Sequence, residues 1–190
     1  AGVAKALSMP DYYTAKFNNG LKVIGTKTDE IPTVTLQFSI QGGHQLSAAN
    51  PEKAGISSLT AALMNEDTEN YTAEEFSSEL DKLGSSISVG SGTDETVVYV
   101  QSLTKNLDET LKLLEERMIK PKFAQDDFDR LKKQQLEGIA NQSTQPTAIA
   151  NNVYSKLLYG EDNFKAIPSS GTTETVSNIS LDDVKKFYQN

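Results

Sequence analysis

TVTLQFSIQGGHQLSAANPEKAGISSLTAALMNEDT, residues 33–68, contains the strand-to-helix passage on which the fold turns. Over Thr33–Ile40, Val34, Leu36, Phe38 and Ile40 alternate with polar residues, the period of a strand with one buried face. Gly42-Gly43 ends that pattern, and a polar loop, Ser47–Lys53, follows. Ile56, Leu59, Leu63 and Met64 then recur at helical spacing, which predicts a helix over about Ala54–Asn65.

Upstream, Tyr13–Phe17 and Leu21–Lys27 read as strands flanking Asn18-Asn19-Gly20. Asn-Gly favours a tight hairpin in which both central residues take positive φ. Downstream, Thr72 and Glu75 have the spacing of a capping box. Phe76, Leu80 and Leu83 form the stripe of that helix, and Gly84 stands at its C′ position. Strands are expected at Ser86–Ser91 and Glu95–Leu103.

The second half reads as helical. Leu107, Leu111, Leu114 and Met118 mark one helix, stopped by Pro121, and Phe128, Leu131 and Ile139 mark a second. Pro146 suits the first turn of a third, with Ile149, Val153 and Leu157 inward and Gly160 as its stop. Ile167–Asn178 reads as a loop, and Ser180 caps a last helix with Leu181, Val184 and Phe187. The order β-β-β-α-α-β-β-α-α-α-α lacks regular βαβ alternation. It predicts an α+β fold, a largely antiparallel sheet with helices packed on one side. Residues 1–190 are expected to form a single domain, with residues 1–11 as a linker.

Hydrophobic residues make up 37% of the chain and charged residues 23%, which fits a globular protein and not a disordered one. The net charge of −8 opposes nucleic-acid binding. No apolar run reaches the roughly 18 residues of a membrane span. The chain has no cysteine, so disulfides, thiolate metal sites and a Cys nucleophile are excluded.

His44 is the one histidine, and a lone histidine at a strand end reads as a solvated surface residue. No Gly-x-Ser-x-Gly elbow and no phosphate-binding loop occurs. Gly90-Ser91-Gly92 lies between strands, where it relieves crowding or marks a bulge. Asp126, Asp127 and Asp129, like Asp182 and Asp183, sit near predicted helix N-termini, where negative charge is favourable. Lys132-Lys133 and Lys185-Lys186 read as solvated faces.

Four segments together resemble the zinc peptidases of the insulinase–pitrilysin type and mitochondrial processing peptidase. They are FNNGLKVIG (17–25), TVTLQFSIQGG with AGISSLTAALMNEDT (33–43 and 54–68), KPKFAQDDFDRLKKQQLEGIANQ (120–142) and TTETVSNISLDDVKKFYQN (172–190). Active members carry His-x-x-Glu-His on the first helix: the two histidines bind zinc and the glutamate is the general base. The resemblance places Ser58 and Ala62 at the histidines, Ala61 at the glutamate, and Gly138 at the third ligand, a glutamate of the long helix. Glu137 is adjacent, but one residue along a helix is about 100° of rotation. No histidine occurs between Gly55 and Asn190, so a shift of register restores nothing.

The resemblance implies the first domain of an inactive half, with its second domain expected beyond residue 190. Such a domain holds no catalytic residue and no metal; zinc is expected in an active partner half, fused or separate. The two halves are expected to enclose a chamber for unfolded peptides. The alternative is a structural core-type subunit with no role in proteolysis. Ser88, Val89, Gly90 and Ser91 resemble the edge segment that pairs with substrate backbone in active halves, and also read as a plain protected edge. The expected compartment is the bacterial periplasm, with the mitochondrion as alternative.

Overall fold

The computed structural model describes residues 10–28, 30–161 and 163–189. Most of the expected linker, residues 1–9, lies outside the described residues. The chain divides at Pro32 into two compact units.

The first unit is an antiparallel hairpin of β1 (Tyr12–Lys16) and β2 (Lys22–Thr26). Its turn differs from the expected one. Gly20 alone takes positive φ, at 90°, while Gly20 N–H donates to Phe17 O (3.0 Å) and Phe17 N–H to Leu21 O (2.8 Å). This is a longer loop closed by one left-handed glycine, the next most common hairpin connection after the two-residue turn.

The second unit holds a three-stranded antiparallel sheet in the order β3-β5-β4: β3 (Thr33–Gln41), β5 (Glu95–Leu103) and β4 (Ser86–Ser91). The central strand β5 buries Val98, Val100 and Ser102 on one face and turns Tyr99 and Gln101 outward. β4 buries Ile87 and Val89 on that same inner face. In β3, Leu36 and Phe38 pack partly against the core, whereas Ile40, near the strand's end, is exposed.

The helices are α1 (Ile56–Leu63), α2 (Ala73–Leu83), α3 (Leu107–Ile119), α4 (Gln125–Gln142), α5 (Pro146–Tyr159), α6 (Thr173–Ser177) and α7 (Leu181–Gln189). The first is central: it packs against β4, α4 and α7. Its apolar face buries Ile56, Leu59 and Leu63, and α2 adds Phe76 and Leu80. Phe76 is fully buried, which contributes about 1.5–3 kcal/mol relative to exposure. The Thr72–Glu75 capping box forms as expected, with the Thr72 side chain bonded to Glu75 N–H and the Glu75 carboxylate to Thr72 N–H. Ser180 caps α7 through Asp183: the hydroxyl accepts from Asp183 N–H, and the carboxylate accepts from Ser180 N–H (2.8 Å). Burial works against ionisation of Asp183. Bonds from Lys53 and Ser180 outweigh it and hold the carboxyl at about 2.

Three further features differ from those expected of the sequence. Residues 167–178 are not wholly loop: α6 forms within them, because Thr172 and Thr175 make a second capping box. Lys132 is not a plain solvated residue, since its ammonium donates to Ser177 O (2.8 Å) and Ile179 O (2.7 Å) at the end of α6. In α5, Ile149, Val153 and Leu157 do not face inward. They are 46%, 52% and 81% exposed, and only Ala148 and Ser155, on another side of the helix, are half-buried.

The entry to α1 depends on two glycines. Gly55 (φ 97°) and Gly171 (φ 79°) both adopt left-handed backbone. A Cβ on Gly55 would lie 2.6 Å from Ser170 O, and one on Gly171 would collide with Ala54 O. Gly171→Ala is therefore expected to destabilise the fold by about 1–3 kcal/mol. Gly138→Ala, in a helix interior where a Cβ meets nothing within 4 Å, is expected to stabilise it by about 0.5–1 kcal/mol. Urea unfolding midpoints of the two variants check the contrast.

Candidate functional site

Three segments meet at the start of α1: the helix itself, the middle of α4, and the turn at residues 168–171. Gln135 of α4 joins them, its amide donating to Gly55 O (3.2 Å) and Ser170 O (2.7 Å). Thr175 of α6 adds a bond from its hydroxyl to Ala54 O (2.8 Å).

The residues aligned with the zinc-binding pattern are carried by α1 and α4, and those helices are in contact. Ser58 and Ala62, one turn apart, are half-buried, while Ala61 is buried in the core. The Ser58 hydroxyl donates to Ser169 O at 3.1 Å, so its one polar group serves the adjoining turn. Gly138 faces open space. Glu137 is exposed and lies 3.9 Å from Lys133 along the helix surface. Zinc needs three or four N, O or S donors within about 2.0–2.3 Å. One hydroxyl, two methyl groups and a glycine do not fit it, and no cluster of His, Cys, Asp or Glu suited to a metal occurs among the described residues.

His44 is buried, only 2% exposed, and not solvated as expected from its place at a strand end. Its Nε2–H donates to Phe164 O (2.9 Å), tying the turn after β3 to the segment after α5. It lines a cleft of about 420 Å³ with Asp94, Tyr159 and Lys165. Its Nδ1 has no partner among the described residues.

The expected edge segment is part of β4, which stands at an edge of the sheet. Ser88 and Gly90 are exposed, Ser91 is half-buried, and Val89 points into the core. Just beyond α1, the Asn65 carboxamide reaches this strand. Its Oδ1 accepts from Val89 N–H (3.0 Å) and its Nδ2 donates to Val89 O (2.8 Å). Arg117 of α3 backs the amide, donating from NH1 to Oδ1 at 3.0 Å. The guanidinium is buried, 4.0 Å from the centroid of the Phe76 ring. Burial lowers its pKa to about 10, against the raising effect of Glu66. At neutral pH it remains a cation, held by an aromatic face and one amide oxygen.

Asn65 and Arg117 were not among the sequence candidates. Arg117 left a signal: three residues after Leu114, it is a charge on the inward stripe of α3.

Residues 22–167 match the insulinase family, peptidase family M16. The chain belongs to that family. A solved structure, the M16 peptidase inactive domain from Pseudomonas fluorescens, superposes with a TM-score of 0.86 at 27% identity, over 94% of this M16 chain and 43% of that one. The Helicobacter pylori protein named non-peptidase homolog YmxG is 26% identical over 185 residues, 97% of this chain and 41% of that protein. The periplasmic protease PqqL from Escherichia coli shares the fold, with a TM-score of 0.78 at 17% identity, over 97% of this chain and 21% of that one. This M16 chain thus spans about two-fifths of the curated relative and of the Pseudomonas structure. No helix among its described residues is long and apolar enough to cross a membrane.

The alignment of Ser58, Ala62 and Gly138 with the ligand positions is testable by restoring the family residues. The triple variant Ser58→His, Ala62→His, Gly138→Glu is expected to bind about one equivalent of zinc. Metal analysis after dialysis checks this, and a metal-free triple variant that remains folded rejects the alignment.

Proposed function

We propose that this M16 chain is a non-catalytic domain of a zinc metallopeptidase. It helps to form the peptide-binding chamber and to assemble with an active half, fused or separate, that carries the zinc. The observation behind this reading is that a chain matching the M16 family over residues 22–167 holds no cluster of His, Cys, Asp or Glu suited to a metal among its described residues. Serine, alanine or glycine stands where the resemblance sets the ligands and base, and α1 packs against β4 and α4.

The outer face of α5 supports assembly. Ile149, Val153, Tyr154, Leu157 and Leu158 are exposed along one broad side of the helix. A contiguous apolar face of this kind is characteristic of a surface that another protein element covers. Peptide contact is proposed along Ser88–Ser91, at the β4 edge, by strand addition. The proposed compartment is the bacterial periplasm, a reading supported by the fold shared with a periplasmic protease.

The test is zinc-dependent cleavage of an unfolded peptide by the natural protein that contains this chain, together with any subunit that co-purifies. Removing this domain while the active half stays folded is expected to lower the rate by at least about tenfold, through loss of substrate positioning. Cleavage unchanged by the deletion, or absent with any zinc-loaded partner, favours the purely structural subunit.

A further inference from the structure

The sheet edge at β4 carries a side chain in the place of a neighbouring strand. In an antiparallel ladder the N–H and C=O of one residue point to the same side, and the side alternates along the chain. Gly92 N–H bonds Glu95 O across the hairpin, so Gly92, Gly90 and Ser88 face β5. Val89 then points its backbone groups away from β5, toward any strand that would extend the sheet. The Asn65 carboxamide occupies both groups, donating to one and accepting from the other, as a peptide unit of an added strand would. An added strand would run about 4.8 Å from β4, and would need the space and the bonds that this amide holds.

The plug is supported from two sides. Its Nδ2 also donates to Ala61 O (2.8 Å), and its Oδ1 also accepts from Arg117. Arg117 is in turn held against Phe76. Asn65 therefore has its donors and acceptor engaged within the domain, and its orientation is set by a buried cation and by the end of α1.

We infer that Asn65 is a gate on this interaction surface: an extended polypeptide can add to β4 only by displacing its carboxamide from Val89. Ile87 and Ser91 share the outward orientation of Val89, so the amide closes the middle of a three-site edge. The surface fits an extended backbone and not a folded or helical partner, because its outward groups are backbone donors and acceptors at the two-residue spacing of a strand. The inference rests on these hydrogen bonds and holds whether or not the chain works within a peptidase.

Backbone amide exchange of the isotope-labelled 190-residue chain tests it, with fluorescein-labelled casein as the unfolded probe. In the wild type, Val89 N–H is expected to be protected without any ligand. In Asn65→Ala, its exchange is expected to quicken roughly three- to tenfold, the loss of one hydrogen bond, with Ser88 and Gly90 unchanged. Casein is expected to bind this variant more tightly than the wild type. Asn65→Asp keeps the acceptor for Val89 N–H and for Arg117, so Val89 protection is expected to persist. If Asn65→Ala fails to fold, the wild type and Asn65→Asp still decide the matter. An unprotected Val89 in the wild type, or in Asn65→Asp, overturns the inference. So does casein affinity that stays the same after Val89 protection is lost. A peptidase assay that shows no chamber role leaves all of these readouts intact, so the two readings fail separately.

Discussion

The close approach of two backbones, at Gly55 and at Gly171, is the constraint on which the rest of the second unit depends. Each residue takes a conformation that L side chains rarely adopt, and each stands where a Cβ would strike the other segment's carbonyl. The contact joins positions more than a hundred residues apart and sets the start of α1. From there α1 passes over β4 and ends at Leu63, just before Asn65, which grips Val89. Gln135 brings α4 to the same junction by donating to two carbonyls, Ser170 O and Gly55 O, the second of which also accepts from Leu59 N–H. The arrangement is costly in loop entropy, and it is repaid by the buried cluster of Leu59, Leu63, Phe76, Val98 and Val100.

That scaffold explains how a metal site can disappear while the fold stays. In the family pattern a metal would add a strong link between α1 and α4. Here Gln135 links the two helices through Gly55 O, while Ser58 bonds Ser169 O in the adjoining turn and Thr175 of α6 bonds Ala54 O. Each net hydrogen bond is worth only about 0.5–1.5 kcal/mol, but several act on one junction and none requires a cofactor. The helix keeps its place with Ser58, Ala61 and Ala62 where the resemblance sets the histidines and the glutamate. The same economy appears at the β4 edge, where one asparagine satisfies the strand that an added chain would satisfy.

Much of the fold was legible because local patterns and tertiary demands agreed. The alternation in Thr33–Ile40, the capping residues Thr72, Glu75 and Ser180, and Gly84 and Gly160 as helix stops each depend on neighbours within a few residues. The absence of any histidine after Gly55 is legible directly in the sequence. Other features were not. His44 is buried by Phe164, 120 residues away, and nothing in its local sequence foretells that partner. The stripe in α5 had the right period, but period does not say which side of a helix meets the body; Ala148 and Ser155 do, and the larger residues face outward. Asn65 looked like the polar end of a helix, and its role appears only once β4 lies beside it.

The domain keeps the M16 fold, and the reading proposed for it is that the metal chemistry has been given up. A zinc titration of the wild-type 190-residue chain at neutral pH, read by calorimetry and by metal content after dialysis, tests it most directly. No stoichiometric zinc is expected, since serine, two alanines and a glycine offer no ligand set. One tightly held equivalent of zinc per chain would contradict it and would restore the case for a catalytic domain.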